Sequence, residues 1–121
     1  MELPELITLY TGAWCEPDRA RRQQLLERAW AEDGTYSDPA AHVVGRMALV
    51  DHIGGFFEQF PGARIELASG IDSHHEKLRF TWCMLLADGK VYVEGMDFGE
   101  LCTDGKLHRI VGFFGLLASK P

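Results

Sequence analysis

The sequence predicts an α+β fold: a cone-shaped, curved antiparallel sheet wrapped around N-terminal helices, with one internal pocket. Three observations lead there. The apolar period is helical up to about residue 60 and becomes two afterwards. Asp88-Gly89 and Asp104-Gly105 are two-residue hairpin turns joining alternating segments. Three amphipathic helices must bury their stripes, and a four-stranded meander offers one concave apolar face to receive them. The 121 residues make one domain, 1–121, large enough for a single core without staples.

In the first helix Leu3, Leu6, Ile7, Tyr10, Ala13 and Trp14 share a stripe; Pro4 suits its first turn and Pro17 marks the break after it. A second helix runs from about Asp18 to Glu32. Its apolar residues are Leu25, Leu26, Ala29 and Trp30, with Arg19, Arg21, Arg22, Glu27 and Arg28 mostly on the wet side. Asp33-Gly34 stops it, since glycine easily takes the left-handed conformation. Thr35 to Asp38 is a short strand ended by Pro39, and Ala40 to Gly45 a loop. A third helix spans about Arg46 to Phe60, with Leu49, Ile53, Phe56, Phe57 and Phe60 on one stripe. Gly54-Gly55 inside it costs about 1 kcal/mol per glycine relative to alanine, so either something packs very close there or the helix breaks. Pro61-Gly62 closes it.

Ile65 to Ile71, Leu78 to Leu86 and Val91 to Leu101 then alternate, with a wider turn at Asp72 to Glu76. Leu107 to Leu117 is apolar on both faces. That two-sided character predicts a covered outer face, hence a homodimer through it.

Hydrophobic residues make up 46% and charged residues 25%, a globular balance that excludes disordered and fibrous classes. No apolar run approaches the ~20 residues of a membrane span, and Met1-Glu2-Leu3-Pro4-Glu5 has no secretory pattern. A cytoplasmic protein with no membrane partner is the expectation. Twelve Lys and Arg against 18 Asp and Glu give a net charge of −6, a field that repels phosphate backbones and argues against nucleic acid as a partner. Cys15, Cys83 and Cys102 are odd in number and widely spaced, so neither structural zinc nor a disulfide framework is expected.

Three residues could carry chemistry. Tyr10 lies on the first helix's apolar stripe, Asp38 ends the first strand, and Asp97 is in phase with Val91, Val93, Gly95 and Leu101. A lone carboxylate on an apolar face needs a raised pKa or a partner. Structural alternatives stand beside these roles. Asp-Pro is common turn chemistry, Tyr10 could be core, and Arg79 or Arg109 could pair with Asp97. His74-His75 reads as a solvated loop, while His42, His52 and His108 carry no pattern. Cys15 reads as an inert thiol. Arg46 could bind an anion at its helix N-terminus or pair with Asp51.

The element order resembles the nuclear transport factor 2-like superfamily. The resemblance rests on Trp30-Ala31-Glu32-Asp33-Gly34-Thr35-Tyr36-Ser37-Asp38-Pro39, on Gly45-Arg46, and on Asp104-Gly105-Lys106-Leu107 leading into Ile110-Val111-Gly112-Phe113-Phe114-Gly115. It covers nearly the whole chain and is nearest to the polyketide-cyclase-like (SnoaL-like) and ketosteroid isomerase-like small proteins. It implies cofactor-independent proton transfer on a hydrophobic carbonyl compound, as an isomerase or cyclase. Asp38 would be the general base, and Tyr10 and a protonated Asp97 the donors to the enolate oxygen. Trp14, Phe56, Phe80, Trp82 and Phe113 would line the pocket. The flanks of Asp97, Glu94-Gly95 before it and Phe98-Gly99 after it, depart from the isomerase pattern and leave the donor geometry open. The alternative is a non-catalytic ligand-binding or dimerisation module of the same fold.

Overall fold

Pro4 opens the first helix, α1 (Leu3–Ala13), at a position whose backbone N–H would have no partner anyway. Its predicted stripe, including Leu6, Ile7, Tyr10 and Ala13, is buried. Asp18 caps α2 (Arg19–Ala29) by accepting from the Arg21 backbone N–H at 3.0 Å, a contact that contributes about 1 kcal/mol. The computed structural model describes residues 1–121.

The second helix ends at Ala29 rather than Glu32. Trp30 turns to extended backbone (φ −121°, ψ 130°) and begins β1 (Trp30–Asp38). The cause is tertiary: Trp30 is fully buried and its ring stacks on Tyr10 with centroids 5.5 Å apart, which outweighs local helix propensity. Gly34 is therefore inside a strand and is no helix stop. A β-carbon there would lie 2.6 Å from Trp30 Nε1, so the missing side chain admits the indole.

The expected loop after Pro39 is a hairpin arm, β2 (Ala41–Val44), antiparallel to β1. Then α3 (Arg46–Gln59) runs unbroken through both glycines. Close packing explains the first of them: a β-carbon at Gly54 would meet Arg22 Nη2 at 3.0 Å. Arg22, expected on the wet side, is buried. Its guanidinium donates to the carbonyls of Val50 and Glu16 at 3.0 and 2.9 Å, which makes burial of the charge tolerable.

The second half supplies β3 (Arg64–Leu67), β4 (Asp72–His74), β5 (Lys77–Leu85), β6 (Val91–Leu101) and β7 (Leu107–Phe114). The predicted wide turn after residue 71 is a short strand plus a tight hairpin into β5, with His75 and Glu76 at φ 49° and 62°. Strand order is β2-β1-β7-β6-β5-β3, with β4 also on β5. Every pair is antiparallel except β1 with β7, which is parallel. The expected antiparallel sheet is thus mixed; it is curled but unclosed. All three helices contribute to the core, where Leu26, Leu49, Ile53, Leu107 and Ile110 are fully buried, each worth roughly 1.5–3 kcal/mol. No helix is long and apolar enough to cross a membrane.

Candidate active site

Three neighbouring strands bring two acids together. Asp97 of β6 is paired with Gly112 of β7, and the parallel register of β1 on β7 runs Tyr36 to Ile110 and Ser37 to Val111. The next residue, Asp38, therefore comes beside Gly112. Residues abreast in a sheet share a face, so both acids look into the concave side. A β-carbon at Gly112 would lie 2.9 Å from Asp97 Oδ1 and 3.7 Å from Asp38 Cβ. Glycine leaves the space that the two carboxyl groups use.

Above the acids is a cavity of about 660 Å³. Tyr10 reaches it from α1, and Trp14, Tyr36, Phe56, Phe80 and Trp82 form aromatic wall around it. Tyr10, Asp38 and Asp97 thus converge on one void. Phe113 does not join them. It is 57% exposed on the outer face, and Phe114 lines the cavity in its place. The register shift between β6 and β7 near Leu101 is the reason: Leu107 and Ile110 both point inward, so the alternation slips before Phe113.

Each acid has its own partners. The Tyr36 hydroxyl donates to Asp38 Oδ2 at 2.6 Å and the Ala40 backbone N–H to Oδ1 at 2.8 Å. Asp38 is therefore a turn former, as Asp-Pro chemistry predicts, and a cavity acid at once. The Trp82 indole N–H donates to Asp97 Oδ1 at 2.9 Å. Neither expected arginine reaches Asp97. Arg79 pairs with Asp72 at 3.0 Å and Arg109 with Glu100 at 3.1 Å, because they sit opposite Phe98 and Glu100 in register, on the other face.

Burial pushes Asp97, 5% exposed, up to about 7; the Trp82 bond opposes that shift and the Asp38 charge adds to it. Burial likewise raises Tyr10 well above the usual phenol range, with Asp97 and Asp38 charges adding and Trp14 opposing. Tyr36 is raised by burial, then by Tyr10 and by its bond to Asp38. Both phenols stay protonated at neutral pH and can donate. Asp97 holds its proton in a large share of molecules near pH 7.

The remaining candidates lie elsewhere. His74 and His75 contact each other at the β4 hairpin, Nδ1 to Nδ1 at 3.1 Å. Arg46 Nε donates to the Trp30 carbonyl at 2.9 Å, while Asp51 pairs with Arg19. The Cys15 thiol contacts the Ile65 carbonyl and is raised by burial, a direction that lowers reactivity. No three His, Cys, Asp or Glu side chains gather to hold a metal ion.

Two lining residues, Tyr36 and His52, stand outside the sequence candidates, and His52 does carry a pattern, that of the α3 stripe. Tyr36 precedes Asp38 by two and so shares its face. His52 stands three residues after Leu49 and four before Phe56, on the α3 stripe. It packs edge-on against Trp14 at 6.0 Å and lies 5.6 Å from the Tyr36 ring.

The chain matches the model of the SnoaL-like domain over residues 13–110. It is 34% identical to a candidate isomerase of the SnoaL-like family from Agrobacterium tumefaciens str. C58, with TM-score 0.88 over 93% of this chain and 97% of that one. A candidate polyketide cyclase from Sinorhizobium meliloti is 16% identical, TM-score 0.71, over 91% and 94% of the two chains. An NTF2-like protein of unknown function from Cytophaga hutchinsonii is 11% identical, TM-score 0.68, over 95% and 91%. At those identities the last two share the fold alone. None of the curated protein sequences is similar.

Proposed function

The chain belongs to the SnoaL-like family, and from that premise we propose that it is a small enzyme catalysing cofactor-independent proton transfer on a hydrophobic carbonyl compound, in the manner of an isomerase or cyclase. The observation that carries the reading is the contrast between two acids in one apolar cavity. Asp38 has both oxygens hydrogen-bonded. Asp97 is buried, bonded at one oxygen only, and pushed up to about 7. Environments that separate two acids in this way assign a base and a donor.

Asp38 takes the proton from carbon next to the carbonyl and returns it to another carbon. Negative charge develops on the carbonyl oxygen as the enolate forms. Protonated Asp97 and the Tyr10 hydroxyl donate hydrogen bonds to that oxygen, in a site where low dielectric strengthens them. Trp14, Phe56, Phe80 and Trp82 hold the ring system and exclude water.

The test is α-proton exchange from cyclic enones in deuterated water. Wild type exchanges, and Asp38→Asn loses at least about a hundredfold in rate. Undiminished exchange in the variant removes the base. Ligand binding without any exchange in wild type is the result that a non-catalytic module gives.

We also propose a homodimer through the outer sheet face. Phe113 and Met96 are cross-strand neighbours there, both exposed, with Val111 and Phe98 the next pair along. Sedimentation of wild type as a dimer and of Phe113→Glu as a folded monomer is expected; a monomeric wild type overturns it.

A further inference from the structure

The cavity holds two acids and no permanently cationic side chain. Its ionisable lining consists of Asp38, Asp97, Tyr10, Tyr36, Tyr92 and His52, and neither lysine nor arginine contributes to it. The buried guanidinium of Arg22 is spent on the carbonyls of Val50, Glu16 and Pro17 and is not part of the lining. Trp14, Phe56, Phe60, Phe80, Trp82 and Phe114 add aromatic surface to the remaining wall, and aromatic faces are electrically negative. The chain as a whole carries −6.

These features act in the same direction on a charged guest. A carboxylate entering the cavity would be desolvated beside two acids, with no lysine or arginine to compensate it. An ammonium would find a carboxyl group on either side of Gly112, where a β-carbon would lie close to both Asp97 and Asp38. It would also find ring faces suited to a cation.

We infer that the cavity takes ring compounds bearing a protonated amine, the nitrogen held between Asp38 and Asp97, and turns away carboxylates of the same shape. This concerns the same cavity as the proton transfer above, goes beyond that reaction, and holds whether or not a proton is moved. Such an amine also covers both the base and the donor, so it competes with a carbonyl substrate.

The test is calorimetric titration of the whole protein with three probes of matched shape: naphthylethylamine, methyl naphthyl ketone and naphthoate. At about pH 8, where Asp97 is mostly ionised, the amine should bind about tenfold more tightly than the ketone. Naphthoate should bind weakest of the three. Asp38→Asn and Asp97→Asn, which keep side-chain shape, should each narrow the gap between amine and carboxylate. Any other order among the probes, or a gap that neither variant narrows, overturns the inference. Enone exchange measured on the same preparations keeps the two readings apart. Lost exchange with the binding order intact sinks only the reaction, and a flat order with exchange intact sinks only the amine preference.

Discussion

Trp82 donates its indole N–H to Asp97 Oδ1 across 2.9 Å, in a slot made by two glycines. Gly95 lies opposite Trp82 in register and admits the indole; Gly112 lies opposite Asp97 and admits the carboxyl. The bond occupies one oxygen of Asp97 and leaves the other for the acid proton and a ligand. An indole that sequence patterning assigns to the pocket wall therefore also positions a site acid.

Trp82→Phe keeps an aromatic ring and deletes the donor. The indole bond is what pulls the Asp97 value down against burial, so its loss should move the carboxyl titration above about 7. Carboxyl-carbon NMR of labelled aspartate reads this directly. A titration that stays in place would mean the bond is electrostatically idle.

Asp97 also sets a slope of stability against pH. Its folded value of about 7 lies above an unfolded value of about 3.9. Between those values the unfolded chain releases a proton that the folded protein keeps. The contribution of Asp97 is therefore complete below about pH 4 and is lost progressively as pH rises to about 7. At about 1.4 kcal/mol per pH unit the full span is worth at most about 4 kcal/mol. Asp97→Asn should gain on wild type as pH is raised from about 5 to about 8 in denaturant unfolding. An offset between the two proteins that does not change with pH contradicts this.

Tyr36→Phe removes the 2.6 Å bond to Asp38 and leaves the Ala40 N–H as its remaining partner. Stability should fall by about 1 kcal/mol. If Asp38 is the base, kcat should drop about tenfold with KM little changed, because the loss is one of positioning and not of substrate binding. The pH profile of kcat should shift with it. Unchanged kcat would leave Tyr36 a packing residue only.

Two glycine-to-alanine changes should have opposite signs. A β-carbon at Gly95 would collide with the Trp82 ring and lie 2.5 Å from the Phe113 carbonyl, so Gly95→Ala should cost roughly 2–4 kcal/mol. Nothing lies within 4 Å of a β-carbon at Gly55, on the cavity side of α3. Gly55→Ala should stabilise by about 0.5–1 kcal/mol through helix propensity. Thermal unfolding of both variants checks the pair. Equal melting temperatures would show that the sheet yields at Gly95.

The residues of the candidate site were legible to different depths. Tyr10 and Asp97 show themselves as polar groups in apolar periods, and Asp38 as the acid of an Asp-Pro strand end. The partner of Asp97 was not legible. Arg79 and Arg109 are close in sequence pattern but sit one and three register steps away, on the other face, and register is a property of paired strands. Phe113 and Phe114 illustrate the same limit. Both are apolar, and a slip near Leu101 decides which of them faces inward.

By itself the sequence determined whatever depends on neighbours a few residues apart: three helical stripes, the start of the second helix near Asp18, the two Asp-Gly hairpins and the change of period near residue 60. Those features follow from local backbone chemistry and from alternation. Tertiary structure alone decided that α2 gives way to a strand at Trp30, that β1 runs parallel to β7, and that Asp38 and Asp97 meet across Gly112. Each of these depends on burying side chains against partners up to some seventy residues away. A pattern apolar on both faces leaves several such pairings equally open until the core is packed.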